Sequence, residues 1–421
     1  MKKLLSILSI CLVFVSCSPD RVLVDELTNK GTDQKPTMYF EGALFNGVGF
    51  DVYEDGQLES ETNYKDGQLD GLAQNFYEDG QVYFEGTYKN GLNDGVFKTW
   101  TAHGTLLFEG NFKNGKEIGL HKQWDDWNGQ LISEINWKDG KLAGLSKRWY
   151  DNGQLESQIN YTYGMKDGSF QTYSSSGQLT EESNFKGGKH HGLVKRWYED
   201  GLRKCEINYN AGIEHGLVKR WYRNGKLSEE SNFSFGSYDG SVKKWNRGGK
   251  LEFGGQFKSG KYHGLISKSS YAGRTETNYR EGIKHGLHKE WVRNGQLISE
   301  INYNDGNKDG LFAAWFQDGR PRLEFYYKNG KKDGLCKEWD EYGVYKTEIT
   351  FKDDKKHGMY TQWHGGQCNN GILVSNKLHT CGRTCGIPCV TVMNMGLCRV
   401  SYKAIYKEGV VQQVLYQRGN G

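Results

Sequence analysis

Gly216-Leu-Val-Lys-Arg-Trp221-Tyr-Arg-Asn-Gly225-Lys-Leu-Ser-Glu-Glu-Ser-Asn-Phe233 decides the fold. It carries two glycines nine residues apart, an aromatic five residues after the first glycine and another at seventeen. The spacing recurs along most of the chain. Its leading glycine returns as Gly47, Gly71, Gly95, Gly119, Gly144, Gly168, Gly192, Gly216, Gly240, Gly264, Gly286, Gly310, Gly334 and Gly358, at intervals of 24 residues except one of 25 and one of 22. Counting each of these glycines as offset zero, offset five holds Phe76, Trp100, Trp124, Trp149, Tyr173, Trp197, Trp221, Trp245, Trp291, Trp315, Trp339 and Trp363. Only Val52 and Ser269 interrupt that series. A self-similar period of this length marks a repeat array.

Within a unit the pattern reads strand, Gly turn, strand, Gly turn. In Gly192 to Asn210, Leu193, Lys195 and Trp197 alternate with Val194, Arg196 and Tyr198, while Cys205, Ile207 and Tyr209 alternate with Glu206 and Asn208. The odd offsets carry the apolar set in both strands. This predicts Leu193 and Trp197 on the face of Ile207 and Tyr209, with Arg196 near Glu206. Antiparallel partners share a face, so paired offsets must sum to an even number, which demands a loop of odd length. A three-residue loop with a left-handed glycine last satisfies this at Glu199-Asp200-Gly201. The 22-residue unit drops two residues, one side-chain period, and so should keep its faces. The 25-residue unit should absorb its extra residue in the turn near Gly129 or in a bulge.

About fourteen such hairpins predict an all-β chain, an elongated single-layer antiparallel β-meander over residues 38–364. One hairpin is not stable alone, so stability must come from neighbours, with a tryptophan and tyrosine ladder on one face. Composition agrees. Of 421 residues only 36% are apolar, yet 57 are glycine and only 4 proline. A deep globular core would need far more aliphatic residues. The formal charge is +4, from 55 basic and 51 acidic side chains, which predicts no nucleic-acid partner.

The first seventeen residues read as an export signal. Lys2 and Lys3 precede the apolar stretch Leu4 to Val15, too short to span a bilayer, and Ser16 precedes Cys17. This predicts a bacterial lipoprotein signal with lipidation at Cys17, hence a chain anchored by its lipid in the cell envelope, at the outer membrane or cell surface. Residues 18–37 are polar and aperiodic and read as a tether.

The Gly216 to Phe233 pattern resembles the bacterial MORN repeat variant, and the resemblance covers about Gly47 to Trp363. It implies a hairpin array associated with membrane attachment, scaffolding and protein contact. Proteins of this kind are often labelled YwqK-type antitoxins. That label implies a cytoplasmic toxin as partner, which suits this chain only if the export signal is false.

No catalytic cluster emerges. His191, His215, His263, His285 and His357 stand just before the repeat glycine, where other units place Asp70, Asp94, Asp167, Asp239, Asp309 and Asp333. A slot shared by His and Asp once per turn is a turn position. Glutamates recurring at offset fourteen belong to a solvated face. No cofactor or metal site is expected. The segment 365–421 loses the period and gathers Cys368, Cys381, Cys385, Cys389 and Cys398, whose spacing suits disulfides in an exported chain better than zinc or iron–sulfur ligation. Tyr406-Lys-Glu-Gly409 matches a repeat ending, so the tail can hold a degenerate cap.

The function expected is a non-catalytic binding or scaffolding surface for protein partners. A sugar- or peptidoglycan-binding surface is the alternative, through rings at Trp100, Trp124, Trp149, Trp197, Trp221, Trp245, Trp291, Trp315, Trp339 and Trp363. Two chains could also pair along their apolar faces.

Overall fold

The computed structural model describes residues 20–32, 36–365, 368–369, 372–373 and 398–417. It forms two compact units, divided after Gly201. Each is an antiparallel meander in which successive strands pair in order, as the repeat predicts.

The Gly216 repeat shows why. Ile213–Trp221 runs out and Leu227–Ser234 returns. Tyr222 N–H donates to the Lys226 carbonyl and Gly225 N–H to the Tyr222 carbonyl, both at 2.9 Å. This is the expected three-residue loop, with Gly225 last at φ 78°. The Asn224 side chain fixes it by accepting the Lys226 N–H at 3.1 Å.

The faces differ from the expectation. Trp221 pairs with Leu227, an even sum of offsets, but Arg220 pairs with Glu229 and Val218 with Ser231, both odd. Ser228 is left over as a bulge, and one extra residue reverses the parity for the rest of the hairpin. Offset two is therefore the core position: Val194, Val218 and Val242 are 0% exposed and Ile266 is 1%. Its partners lie at offset fifteen, as in Ile159, Ser183, Ser231 and Ile301. Leu193 and Leu217 at offset one are exposed instead. Arg196, expected near Glu206, donates to Glu181 of the preceding repeat at 2.7 Å.

The length variants behave as predicted. In the 22-residue repeat Ser270 N–H donates to the Gly273 carbonyl around a two-residue loop, the bulge is missing, and Ile266 still pairs with Thr277 in the core. In the 25-residue repeat the loop takes the extra residue, closed by Asp125 N–H to Gln130 at 2.8 Å.

The other turn of each repeat is a two-residue loop with both residues left-handed. Asn90 (φ 51°) and Gly91 (φ 77°) join Lys89 to Leu92 in this way. The shared His/Asp slot serves it. Asp70, Asp94 and Asp239 accept the first N–H of the next such turn from Asn90, Asn114 and Ser259, and His285 does so for Asp305. The repeat glycine itself lies in a second bulge, where the register jumps between Ile207 and Tyr209. There Gly216 takes φ 85°, and Asn208 donates its side-chain amide to the Leu217 carbonyl at 2.9 Å.

Part of the stretch expected to be a tether is built into the fold. Arg21–Leu23 pairs in parallel with Gly47–Val52, a 3-10 turn follows at Val24–Glu26, and Thr28–Asn29, Met38–Phe40 and Ala43–Leu44 form a small sheet. Fully buried Phe45 packs on Phe40 and Tyr64. At the other end Cys398–Lys407 pairs with Lys355–Gly365 and turns at Glu408-Gly409 into Val410–Gln417. Cys17, Cys381, Cys385 and Cys389 lie outside the described residues, as do the side chains of Cys368 and Cys398.

Candidate functional site

Each unit offers two sheet faces and two turn edges to a partner, and the faces and the edge made by the three-residue turns carry the distinctive chemistry. The core face is filled by its own side chains. Rings at offset seventeen form a ladder with the residue two before the next repeat glycine. In the second unit it runs Phe233, Tyr238, Phe257, Tyr262, Tyr279 with centroids 4.6 to 5.1 Å apart. In five repeats that residue is a lysine instead, and there the ladder alternates cation and ring. Lys308 lies 5.1 Å over Tyr327, and Lys356 lies 5.1 and 5.2 Å over Tyr360 and Tyr406.

Toward the three-residue turns the core face becomes ionic. Arg220 meets Glu229 at 3.0 Å and Glu214 at 2.6 Å, while Tyr238 donates to Glu229 at 2.7 Å. Burial alone would raise the Glu229 pKa, but the Tyr238 hydroxyl, Lys244, Arg220 and Ser231 outweigh it and hold the carboxyl below its ordinary value. In the first unit, burial lowers the pKa of His190; Glu181 opposes this shift, and Arg196 and Lys166 add to it. His190 stacks on Phe185 at 4.2 Å. These are packing networks, with the charge spent internally.

Where a serine takes the core position the packing opens. Ser146 stands at offset two, its hydroxyl buried and without a partner, beside a hollow of about 550 Å³ also lined by Ile159, Tyr161 and Phe170.

The opposite face is a lattice of paired charges. Lysines at offset three meet glutamates at offset fourteen in Lys98–Glu109, Lys195–Glu182, Lys219–Glu230 and Lys289–Glu300, at 3.1 to 3.5 Å. This is the solvated glutamate face the sequence predicts. Each pair is half-exposed and contributes about 0.2–1 kcal/mol, so the face is repetitive and accessible.

The turn edge is stitched from repeat to repeat. Asn128, Asn152 and Asn224 donate to the carbonyls of Asp151, Ser175 and Arg247 in the following turn. Tyr77, Tyr150 and Tyr222 donate to the carbonyls of Trp100, Tyr173 and Trp245. The charged tips are thus held in a row.

The tryptophans expected as a stacking face are spread over several environments. Trp339 and Trp363 are buried on either side of Tyr345, each 5.2 Å from it. Trp221 and Trp291 lie under Arg203 and Arg274. Trp100, Trp124, Trp149, Trp197, Trp245 and Trp315 are half-buried at the last pair before the turn. The freest ring is Trp127, 95% exposed in the enlarged loop of the 25-residue repeat. It escaped a reading that followed only periodic aromatics, although the inserted residue was the signal. Cys205 and Cys336 are buried, and burial pushes the Cys336 pKa up to about 12. Among the described residues no group of His, Cys, Asp and Glu is placed to hold a metal ion, and no helix is long and apolar enough to cross a membrane.

No curated protein matches the sequence. Two solved structures, titled as crystal structures of TcdB2-TccC3-Cdc42 and of TcdB2-TccC3, align with 73% of this chain at 12% and 11% identity. The TM-scores are 0.17 and 0.16, and the chain spans only 17% and 18% of theirs. The model of the MORN repeat variant matches seven segments, 45–66, 69–90, 93–114, 142–163, 166–186, 214–234 and 284–305. Repeats of this kind generally serve as protein- or membrane-binding modules. Those seven segments are similar to the MORN repeat variant, and each coincides with one hairpin of the array.

Proposed function

We propose that this protein is a non-catalytic scaffold of the bacterial cell envelope, held by a lipid on Cys17, that presents repeated surfaces to protein partners. One observation carries the reading: the core face is closed by its own rings and ion pairs, while the lysine–glutamate face and the turn edge repeat the same exposed chemistry in unit after unit. A surface of that design binds through many equivalent weak contacts, and its strength is avidity. The sequence of the first seventeen residues supports the location. Fractionation of the native host with intact-mass analysis of the N-terminus is the test. A lipidated Cys17 in the membrane fraction supports the anchor, and an unprocessed Met1 form in the cytosol sinks it. A partner search in envelope extracts that returns nothing above background counts against the scaffold.

A sugar-binding reading is favoured by one feature, the exposed ring of Trp127 at a turn tip. Quenching of Trp127 fluorescence by glycan fragments would support it. An unchanged spectrum at saturating glycan would end it.

A further inference from the structure

Charge is nearly balanced over the whole chain, but along the edge that carries the three-residue turns and their two length variants it is sorted. In the first unit the turns at 53–57, 77–81, 101–105, 125–130, 150–154, 174–178 and 198–201 contain nine carboxylates and no lysine or arginine. In the second unit the turns at 222–226, 246–250, 270–273 and 292–296 contain Arg223, Lys226, Arg247, Lys250 and Arg293 and no carboxylate, and Arg274 directly follows the third of them. All six of these cations are exposed, as are Glu54, Glu78, Asp126 and Glu199 on the acidic side. The basic run ends at Asp318, Asp340 and Glu341.

We propose that the protein self-associates, with the basic turn edge of one copy's second unit lying against the acidic turn edge of another copy's first unit. Both edges are made by the same hairpin, so their charged tips share one spacing: two strands per repeat at roughly 4.8 Å each puts successive tips about 10 Å apart. Equal spacing lets tips interleave along several repeats without loss of register. The tips are held for this. Asn224 ties its turn to the Arg247 carbonyl at 2.8 Å and Lys226 bonds the Gly248 carbonyl at 2.7 Å, just as Asn128 and Asn152 tie the acidic turns. Arg293 lies over Tyr271 at 4.1 Å, and a ring face consumes no N–H donor; Arg274 lies over Trp291 at 4.2 Å and also pairs with Glu276 at 3.3 Å. A linear polyanion would satisfy the basic edge alone, whereas a second copy accounts for both edges. Like edges repel, so the contact is heterologous, and it closes into a pair or continues as an open chain according to its geometry.

Exposed ion pairs are individually weak and screened by salt, so the association is cooperative over several turns and salt-dependent. Sedimentation velocity on the mature chain tests it. At about 0.01 M salt, where screening reaches only over roughly 30 Å, the wild type should sediment faster as concentration rises; at about 1 M, with roughly 3 Å screening, it should revert to monomer. A basic-edge variant (Arg223→Glu, Arg247→Glu, Lys250→Glu, Arg293→Glu) and an acidic-edge variant (Glu54→Lys, Glu78→Lys, Asp126→Lys, Glu199→Lys) should each lose self-association, and an equal mixture of the two should regain it. The mixture shows that neither loss comes from misfolding. A wild type that stays monomeric at low salt overturns the proposal, as does association that survives in either variant alone. So does a mixture that fails to associate while both variants keep the wild-type circular dichroism spectrum. Titration with poly-glutamate that saturates the basic edge of a protein otherwise monomeric would assign that edge to a foreign polyanion.

Discussion

Phe235 occupies the first position of a left-handed two-residue turn at φ 46°, with its ring mostly in solvent. Seven repeats place Asn or Asp there, as in Asn90, Asn114 and Asn329. A bulky side chain in this conformation costs about 1–2 kcal/mol that Asn largely avoids. Phe235→Asn should therefore raise the urea midpoint by an amount worth about 1 kcal/mol, although the ring's contact with His215 is lost. The titrating core groups set the acid limb. His190 has its pKa lowered by burial, so its contribution is complete above 6.5 and falls as pH drops below that value. The Glu229 pKa is also lowered, so its contribution is complete above 4.5 and is lost on further acidification. Stability against pH should decline in two stages, and His190→Phe should remove the upper one while keeping a ring against Phe185. A single-stage decline in the wild type would contradict this assignment.

At the level of the hairpin, the short repeat is the most constrained element. Gly273 sits at φ 157°, and a Cβ there would lie 1.9 Å from the Trp291 carbonyl oxygen. Gly273→Ala should cost about 3 kcal/mol or more, because backbone must move to admit it. Thermal melts of this variant beside Gly295→Ala, whose position is open, separate the collision from the general cost of losing a left-handed glycine. The hairpin was also where the sequence was most and least legible. Glycine spacing gave the strands, the three-residue loop and the effect of two missing residues. Burial at offset two could not be read, because the bulge at Ser228 has no residue signature: a polar residue on a solvated strand looks the same paired or unpaired. Val218 and Leu217 are both aliphatic, and only the bulge decides which is buried. The core ladder was partly hidden for a related reason, since lysines such as Lys308 and Lys356 take rungs of it by covering rings and read in sequence as surface residues.

For the molecule as a whole, nearest-neighbour stabilisation makes each repeat removable. Deleting residues 217–240 joins Gly216 to Ser241 in the original phase, so the shortened chain should keep its β spectrum and a cooperative transition with a smaller denaturant slope. Deleting half as many residues, 227–238, should be more harmful, because a strand is lost and the chain then re-enters its neighbour in the wrong direction. Equal stability of the two deletions would contradict nearest-neighbour assembly. Each repeat spends one turn at one edge and one at the other, so the chain leaves every unit on the side at which it entered. Unequal crossing-over between such copies therefore yields a working product at once: a duplicated or lost unit changes how many turns an edge displays without moving any turn to the opposite edge. The length of this protein is a quantity that inheritance can adjust in whole steps, while the chemistry of each edge is carried forward unchanged.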